Sequence, residues 1–408
     1  MIGRIVIIND ISAPKGGATA LALASAKTFR ELGYPVTFLT GDDGHNDELT
    51  GRNVEIVGLG QQRLTATSPT RALVDGLFNR AANDMIASWI ARNDQPDTVY
   101  HLHGWAQILS PAVFHALKPV LRRTILSAHD FFLACPNGSY SFLKSGQICP
   151  HTPMSIACIT ANCDRRNYAH KLWRVARQAI QRTLFDRKRS PRILAIHEHM
   201  RSFLMRAGIP SEAIETVPNP VHPFRTSRIP AEANREFLFI GRLEATKGPD
   251  LAAAAARRAG VVMRFIGDGV MRSTLEKMYP EMIFTGHVPQ QAIGEFVGNA
   301  RALVMPSRYP EPYGLVAAEA LWSGLPVILS ETAFLADEIV AGEAGFACDP
   351  RNACEMASAM HALARSDELT ARTSYAAFHD MRSVGLSPDA WHQRLLDAYA
   401  HTLSGTAS

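Results

Sequence analysis

The stretch Val304-Met-Pro-Ser-Arg-Tyr-Pro-Glu311-Pro-Tyr-Gly314-Leu-Val-Ala-Ala-Glu319-Ala-Leu-Trp-Ser-Gly324-Leu-Pro-Val327 sets the reading of the chain. An apolar run from Ala302 closes at Met305-Pro306-Ser307, as a strand does at the edge of a sheet. Pro310, Pro312 and Gly314 keep the next residues out of a helix, and from Leu315 a helical pattern runs until Gly324 and Pro326 stop it. Glu311 therefore falls in a loop and Glu319 about one turn inside a helix. The N–H groups of Gly314, Leu315 and Val316 have no acceptor within that helix and point out of its start, which suits an anionic diphosphate. One carboxylate can then accept from the hydroxyls of a sugar on that phosphate, and the other from a ribose diol. Two glutamates at this spacing recur by chance; the strand, prolines, glycine and second strand around them make the pattern specific.

Working outward, the second half of the chain repeats strand, loop and helix. Residues 236–240 are an apolar strand whose carboxyl end delivers Gly241-Arg242-Leu-Glu-Ala-Thr-Lys247-Gly248. Arg242 and Lys247 can both reach a diphosphate from there, one as a planar fork and one as a point charge, and both are expected to be unpaired within the fold. An alanine-rich helix over 250–259 follows. The strand 261–266 then ends in Gly267-Asp268-Gly269, where Gly267 and Gly269 admit the close approach of a nucleoside.

In the first half, residues 5–8 form a continuous apolar run bounded by Asn9-Asp10, the mark of a central parallel strand. Lys15-Gly16-Gly17 leads into a helix of small residues that Gly33 ends, and residues 36–39 form the next strand. Strand, Gly-Gly loop, helix and strand make a mononucleotide-binding half, in which Gly16 and Gly17 let a substrate come close to the backbone. Further strands read at 54–57, 98–102, 124–128, 193–196 and 214–217. An open α/β sheet places its chemistry at the carboxyl ends of its strands. His101, His103 and His129-Asp130 stand at two such ends. His129 can hydrogen-bond a sugar hydroxyl or a leaving phosphate; for His101 and His103 bonding within the fold is the favoured reading.

The length, 408 residues, calls for two domains, and 47% hydrophobic with 20% charged residues is the composition of a globular protein. No charged-then-apolar leader precedes residue 5 and no long apolar run follows, so a cytoplasmic chain with reduced thiols is expected. Four of the six cysteines, Cys135, Cys149, Cys158 and Cys163, fall in one irregular stretch with His151. Structural zinc would staple such a loop, although no Cys-x2-Cys pair is present; thiols packed as small hydrophobes are the other reading. Between Arg165 and Arg192 stand ten Lys or Arg against Asp186 alone, so the net charge of +4 is local. That argues against a general nucleic-acid binder and for one anionic docking face. Within the segment Leu172, Trp173, Ala176, Ile180 and Leu184 share a helical face flanked by Arg166, Arg174, Arg177, Arg182 and Lys188. The pattern fits a helix lying on an anionic leaflet, or a domain helix whose stripe faces the core.

Residues 304–327, with Gly241-Arg242-Leu243, Lys247-Gly248 and Gly267-Asp268-Gly269, resemble the Glu-x7-Glu motif set of the retaining glycosyltransferases of family 4. The resemblance implies an α/β chain of two Rossmann-like domains facing across a cleft, the GT-B arrangement. Its boundaries would be 1–222 for the acceptor side and 223–388 for the donor side, with a last helix, 389–408, crossing back to the first domain. It further implies an enzyme moving a sugar from a nucleotide-sugar donor to a glycan or lipid-linked acceptor in exopolysaccharide or lipopolysaccharide assembly. That enzyme would require no metal or other cofactor and could work at an anionic membrane surface through 165–192. Arg242 and Lys247 would neutralise the diphosphate with the helix start at Gly314, Leu315 and Val316. Glu319 would hold the ribose, Glu311 and His129 the sugar, and the loop around Cys135 would shape the acceptor side. The chain departs from the family where Thr332-Ala333 replace a glycine pair before Asp337-Glu338. A sugar phosphorylase, an epimerase or a non-catalytic nucleotide-sugar binder on the same scaffold are the rival readings.

Overall fold

The structure is a computed structural model that describes residues 1–14, 16–187 and 190–405. Lys15 of the first Gly-Gly loop and Lys188 and Arg189 of the basic segment lie outside the described residues. The chain divides into two units: residues 1–139, 150–217 and 389 onward form the first, and residues 140–149 and 218–388 the second.

In chain order the first nine strands are β1 (Arg4–Asn9), β2 (Val36–Thr40), β3 (Glu55–Gly58), β4 (Thr98–Leu102), β5 (Thr124–Ala128), β6 (Ser141–Phe142), β7 (Gln147–Ile148), β8 (Arg192–Ala195) and β9 (Ile214–Thr216). All but β6 and β7 form the parallel sheet of the first unit, in the order β3-β2-β1-β4-β5-β8-β9. Ile5 to Ile8 have no exposed surface, as a strand covered on both faces requires. The helix Gly17–Glu31 lies close on β1 and β2 because Ala22 and Ala26, both fully buried, face the sheet. The last helix, Pro388–Ser404, belongs to the first unit from Asp389 on. Its buried Trp391, Leu395 and Tyr399 are its apolar face, and the Tyr399 hydroxyl bonds His101 Nδ1 at 2.7 Å.

The arginine-rich helix spans Tyr168–Leu184, and its buried side chains are polar: Lys171, Gln178 and Gln181. The irregular loop after β5 presents backbone carbonyls that need donors. Gln178 Nε2 donates to the Leu133 carbonyl (3.1 Å) and Gln181 Nε2 to the Phe132 carbonyl (2.9 Å). The expected apolar stripe is therefore divided. Trp173 packs beside Gly76 and donates to the Leu73 carbonyl (3.0 Å), while Leu172 is 43% exposed. Cys135, Cys149, Cys158 and Cys163 are buried and form no disulfide among the described residues. Among the described residues no group of three or more His, Cys, Asp or Glu stands ready to hold a metal ion. Where zinc was one reading, the Lys171 ammonium instead reaches Cys163 Sγ (3.2 Å) and Cys158 Sγ (3.7 Å).

The second unit contains β10 (Glu236–Ile240), β11 (Met263–Ile266), β12 (Ile283–Gly286), β13 (Ala300–Met305), β14 (Val327–Ser330) and β15 (Gly345–Cys348). They make a parallel sheet in the order β12-β11-β10-β13-β14-β15, the doubly wound order whose direction reverses between β10 and β13. Phe237, Phe239 and Phe265 pack with the alanines of the helix Pro249–Ala259 into its core. The antiparallel pair β6–β7 also belongs to this unit, where the Gly146 Cα (φ +73°) lies so near the Arg308 carbonyl that a Cβ would come within 2.7 Å. Part of the cysteine-rich loop thus packs on the unit that carries Glu311, whereas the resemblance assigned the loop to the acceptor side.

Candidate functional site

The reversal point of the second sheet gathers the residues that the sequence singles out there. The carboxyl end of β10 continues into Gly241 and Arg242, then a 3-10 turn, Ala245–Lys247, that Gly248 ends in the left-handed region at φ +69°. The carboxyl end of β13 runs through Pro306 to Gly314, whose φ of +74° turns the chain into the helix Leu315–Trp322. Lys247 Nζ lies 2.7 Å from Glu311 Oε2 and donates to the Tyr309 hydroxyl at 2.9 Å, while Ser307 Oγ donates to the same Glu311 oxygen at 2.9 Å. Burial would lower the pKa of the Lys247 ammonium, but Glu311 and Tyr309 outweigh it and hold it raised. Burial would raise Glu311, and Lys247 with its hydrogen-bonding neighbours holds it lowered.

Lys247 and Arg242 are thus both paired, contrary to expectation: Arg242 Nη1 reaches Glu244 Oε1 at 3.0 Å on an exposed surface. For Lys247 the reason is its low exposure, since an ammonium out of water needs a counter-charge. Glu319 differs. It is 8% exposed, its carboxyl has no hydrogen bond among the described residues, and burial pushes it up to about 8. Ala317 and Ala318 donate to the Gly314 carbonyl, and the Leu315 and Val316 N–H groups have no acceptor among the described residues. The two further glycines are required by backbone. A Cβ on Gly267, at φ +134°, would lie 2.0 Å from the Gly241 carbonyl oxygen, and one on Gly269 would lie 2.5 Å from that of Leu243. Tyr309 and Ser307 escaped the sequence reading. Their spacing of two and four from Glu311 in a proline-held segment was the available signal, because alternate residues of such a segment can share a side.

At the carboxyl edge of the first sheet stand Asp10, three histidines and the Gly-Gly loop. Gly16, at φ +101°, precedes the helix that begins at Gly17, and no atom lies near the place of a Cβ on it. His101 is fully buried and bonded at both ring nitrogens, to Tyr399 and to Ser127 Oγ (2.8 Å). His103 Nδ1 is hydrogen-bonded to His129 Nε2 at 3.0 Å, and His103 Nε2 is buried without a partner among the described residues. Desolvation lowers His129 to about 4 and His101 to about 3 and takes His103 well below the ordinary value, so all three rings are neutral near pH 7. The Asp10 carboxylate accepts the N–H groups of Gln107 (2.7 Å), Ile108 and Leu109 (both 2.8 Å), which ties β1 to the turn after β4.

The model for Glycosyltransferase Family 4 matches residues 15–225, more than half of the chain, and that for Glycosyl transferases group 1 matches residues 224–380. Over 166 residues the chain is 31% identical to a glycogen synthase of Mycobacterium tuberculosis, covering 38% of this chain and 40% of that protein. The chain thus spans about two fifths of the length of the curated relatives that it matches first. The fold is shared with sucrose-phosphate synthase from Thermosynechococcus elongatus (TM-score 0.72, 15% identity, 98% of this chain and 99% of that one). It is shared also with Anabaena HepE, solved in complex with UDP (TM-score 0.68, 14% identity, 98% and 100%). With two parallel α/β sheets, the GT-B fold of these structures and both family models in register with its two halves, the chain belongs to glycosyltransferase family 4.

Proposed function

We propose that this chain transfers a sugar from a nucleotide diphosphate sugar to an acceptor hydroxyl with retention of configuration. One observation carries the reading: at the reversal point of the second sheet, a buried Glu319 carboxyl without a partner stands on the helix whose free N–H groups adjoin the Lys247–Glu311 pair. Glu319 accepts from the ribose diol. The Leu315 and Val316 N–H groups, with Arg242 and Lys247, bind the diphosphate and stabilise its charge as it departs. When Lys247 turns to that charge, Glu311 is released to the hydroxyls of the sugar. Gly267 and Gly269, by letting their loop pack on the carbonyls of Gly241 and Leu243, present backbone to the nucleoside, Gly16 and Gly17 leave room beside the acceptor, and neutral His129 bonds the sugar. The two cations do the work that a divalent ion does in metal-dependent transferases, so activity should survive a chelator. The UDP held by HepE supports a uridine nucleotide as the first donor to try.

The acceptor of this reading is a glycan or lipid-linked intermediate of exopolysaccharide or lipopolysaccharide assembly, met by a chain working in the cytoplasm against an anionic membrane surface. Support comes from residues 165–192 with the exposed Leu172, Leu73 and Val74. Among the described residues no helix is long and apolar enough to cross a membrane.

The test is thermal unfolding with saturating UDP, GDP and their sugar conjugates, for the natural sequence and Glu319→Ala in parallel. Ligand at about 100 times its dissociation constant stabilises by roughly 2.7 kcal/mol, and the shift should vanish in the variant. No shift with any nucleotide would sink the donor reading.

A further inference from the structure

Beside the turn that Asp10 holds, the first unit has a half-open pocket of about 570 Å³ between the helices Pro69–Leu77 and Tyr168–Leu184. That is the size of a small-molecule site rather than of a packing defect. Two of its walls come directly from the sheet edge: Ala106 and Gln107 follow β4, and Phe132 follows β5 three residues after His129. Gln107 is the residue whose N–H the Asp10 carboxylate holds. The cavity therefore begins where the chemistry of the first unit would be placed and extends from there beneath the arginine-rich helix.

Its lining has two characters. Leu64, Ala72, Leu73, Phe132 and Trp173 give an apolar wall, and exposed Leu73, Val74 and Leu172 carry apolar surface onward around it. Against them stand Arg63, Arg166, Arg174 and Arg177, and among the described residues no Asp or Glu lines the cavity. Arg174 is paired with Asp164 at 2.8 Å, and Arg177 lies in the field of Asp10 and Asp130. Arg63 and Arg166 form no ion pair among the described residues. Arg63 Nη2 and Arg177 Nε are also buried with no hydrogen-bond partner among the described residues. Buried guanidinium N–H groups are costly to leave unmade, and an anion is the partner that satisfies them best. A bare phosphate would leave most of the apolar wall uncovered. A bare sugar would find few acceptors, since apart from backbone the lining offers it mainly Gln107, His170 and threonine hydroxyls.

We infer that this cavity holds the acceptor, and that the acceptor is an anionic amphiphile: a phosphate gripped by Arg63, Arg166 and Arg177, on an apolar chain lying along Leu64, Leu73 and Trp173. The inference rests on the transferase reading above and names its acceptor class. It also gives the arginines of the helix a ligand inside the unit, besides any surface outside it.

The test uses the full chain with farnesyl phosphate below its micelle-forming concentration, followed by intrinsic tryptophan fluorescence and by calorimetry. Inorganic phosphate, farnesol and vesicles of phosphatidylglycerol or phosphatidylcholine are the other arms, and UDP is titrated on the same preparations. Farnesyl phosphate should bind, and each of phosphate and farnesol at least tenfold more weakly. The combined variant Arg63→Gln with Arg166→Gln should lose at least tenfold for farnesyl phosphate while its UDP affinity stays unchanged, which also reports that it folds. Trp173→Phe should remove the fluorescence change and keep the calorimetric binding. Binding of phosphate alone as tightly as farnesyl phosphate would overturn the amphiphile, and binding only to phosphatidylglycerol vesicles would replace the cavity by a surface. No farnesyl phosphate binding while UDP binds would end this inference and leave the transferase reading standing; loss of UDP binding as well would end both.

Discussion

The carboxyl edge of the second sheet holds a half-buried lysine against a half-buried glutamate, a second glutamate with no partner among the described residues and glycines pressed on backbone carbonyls. That of the first sheet holds three neutral imidazoles in mutual contact and a glycine with open space around it. Both sheets are parallel and both reverse direction beside their first strand, β1 in one and β10 in the other. The same topology thus offers two binding edges, and side-chain chemistry gives them different tasks. On the proposed reading the second meets the charge that changes during transfer, and the first meets hydroxyls with neutral partners.

The largest break in this comparison should come from Lys247→Ala. On the proposed reading it removes a cation from the departing diphosphate, and it strands Glu311, so transfer should fall about 10³-fold and stability by ~3 kcal/mol. Steady-state rates and urea unfolding read the two losses separately. A double variant, Lys247→Met with Glu311→Met, should regain much of the stability and none of the activity; stability that stays low would mean that the pair is not what holds this loop.

Glycine substitutions sharpen the contrast. Gly267→Ala places a Cβ on the Gly241 carbonyl at a φ that alanine avoids, and should cost ~3 kcal/mol. Gly16→Ala meets no atom and bears only the strain of its φ, about 1 kcal/mol. Equal losses in unfolding experiments would show that the two loops are not packed as described.

The smallest effect per step is with pH, and its sign differs between the edges. Glu319 is raised to about 8, so the folded protein keeps a proton that the unfolded chain releases near 4.5; this contribution is full below that and is lost as pH rises through 8. His101 is lowered to about 3, so its contribution is present above about 6.5 and is lost as pH falls toward 3. Each group can contribute a slope of at most about 1.4 kcal/mol per pH unit. Glu319→Gln should flatten the alkaline side alone. Nucleotide affinity should rise from pH 6 to pH 8 in the natural sequence, as the carboxylate that accepts the ribose hydroxyls forms, and should not do so in Glu319→Gln. Identical profiles by calorimetry would remove Glu319 from the site.

What the sequence made legible was local punctuation. Pro310, Pro312 and Gly314 act on their own backbone, so the strand ending at Met305, the loop with Glu311 and the helix beginning at Leu315 all stand where those residues require. Pairings between distant residues were not legible. Nothing near Lys247 announces that its partner is Glu311, and nothing near Arg63 announces that it shares a cavity with Arg177. The helix Tyr168–Leu184 misled for another reason. Periodicity finds the apolar face, whereas burial here follows the carbonyls of residues 132 and 133, to which Gln178 and Gln181 donate. Residues 140–149 belong to the second unit although the chain on both sides belongs to the first, a choice made by packing on Arg308.

The return of the last helix also bears on synthesis. A ribosome makes β1 to β5 early, yet the hydroxyl that caps His101 at the end of β4 comes from Tyr399, and the whole of residues 218–388 must emerge in between. The first sheet therefore waits with an uncovered flank while the second, whose β10 to β15 are consecutive, can close as it leaves the tunnel. The half made first is the half completed last.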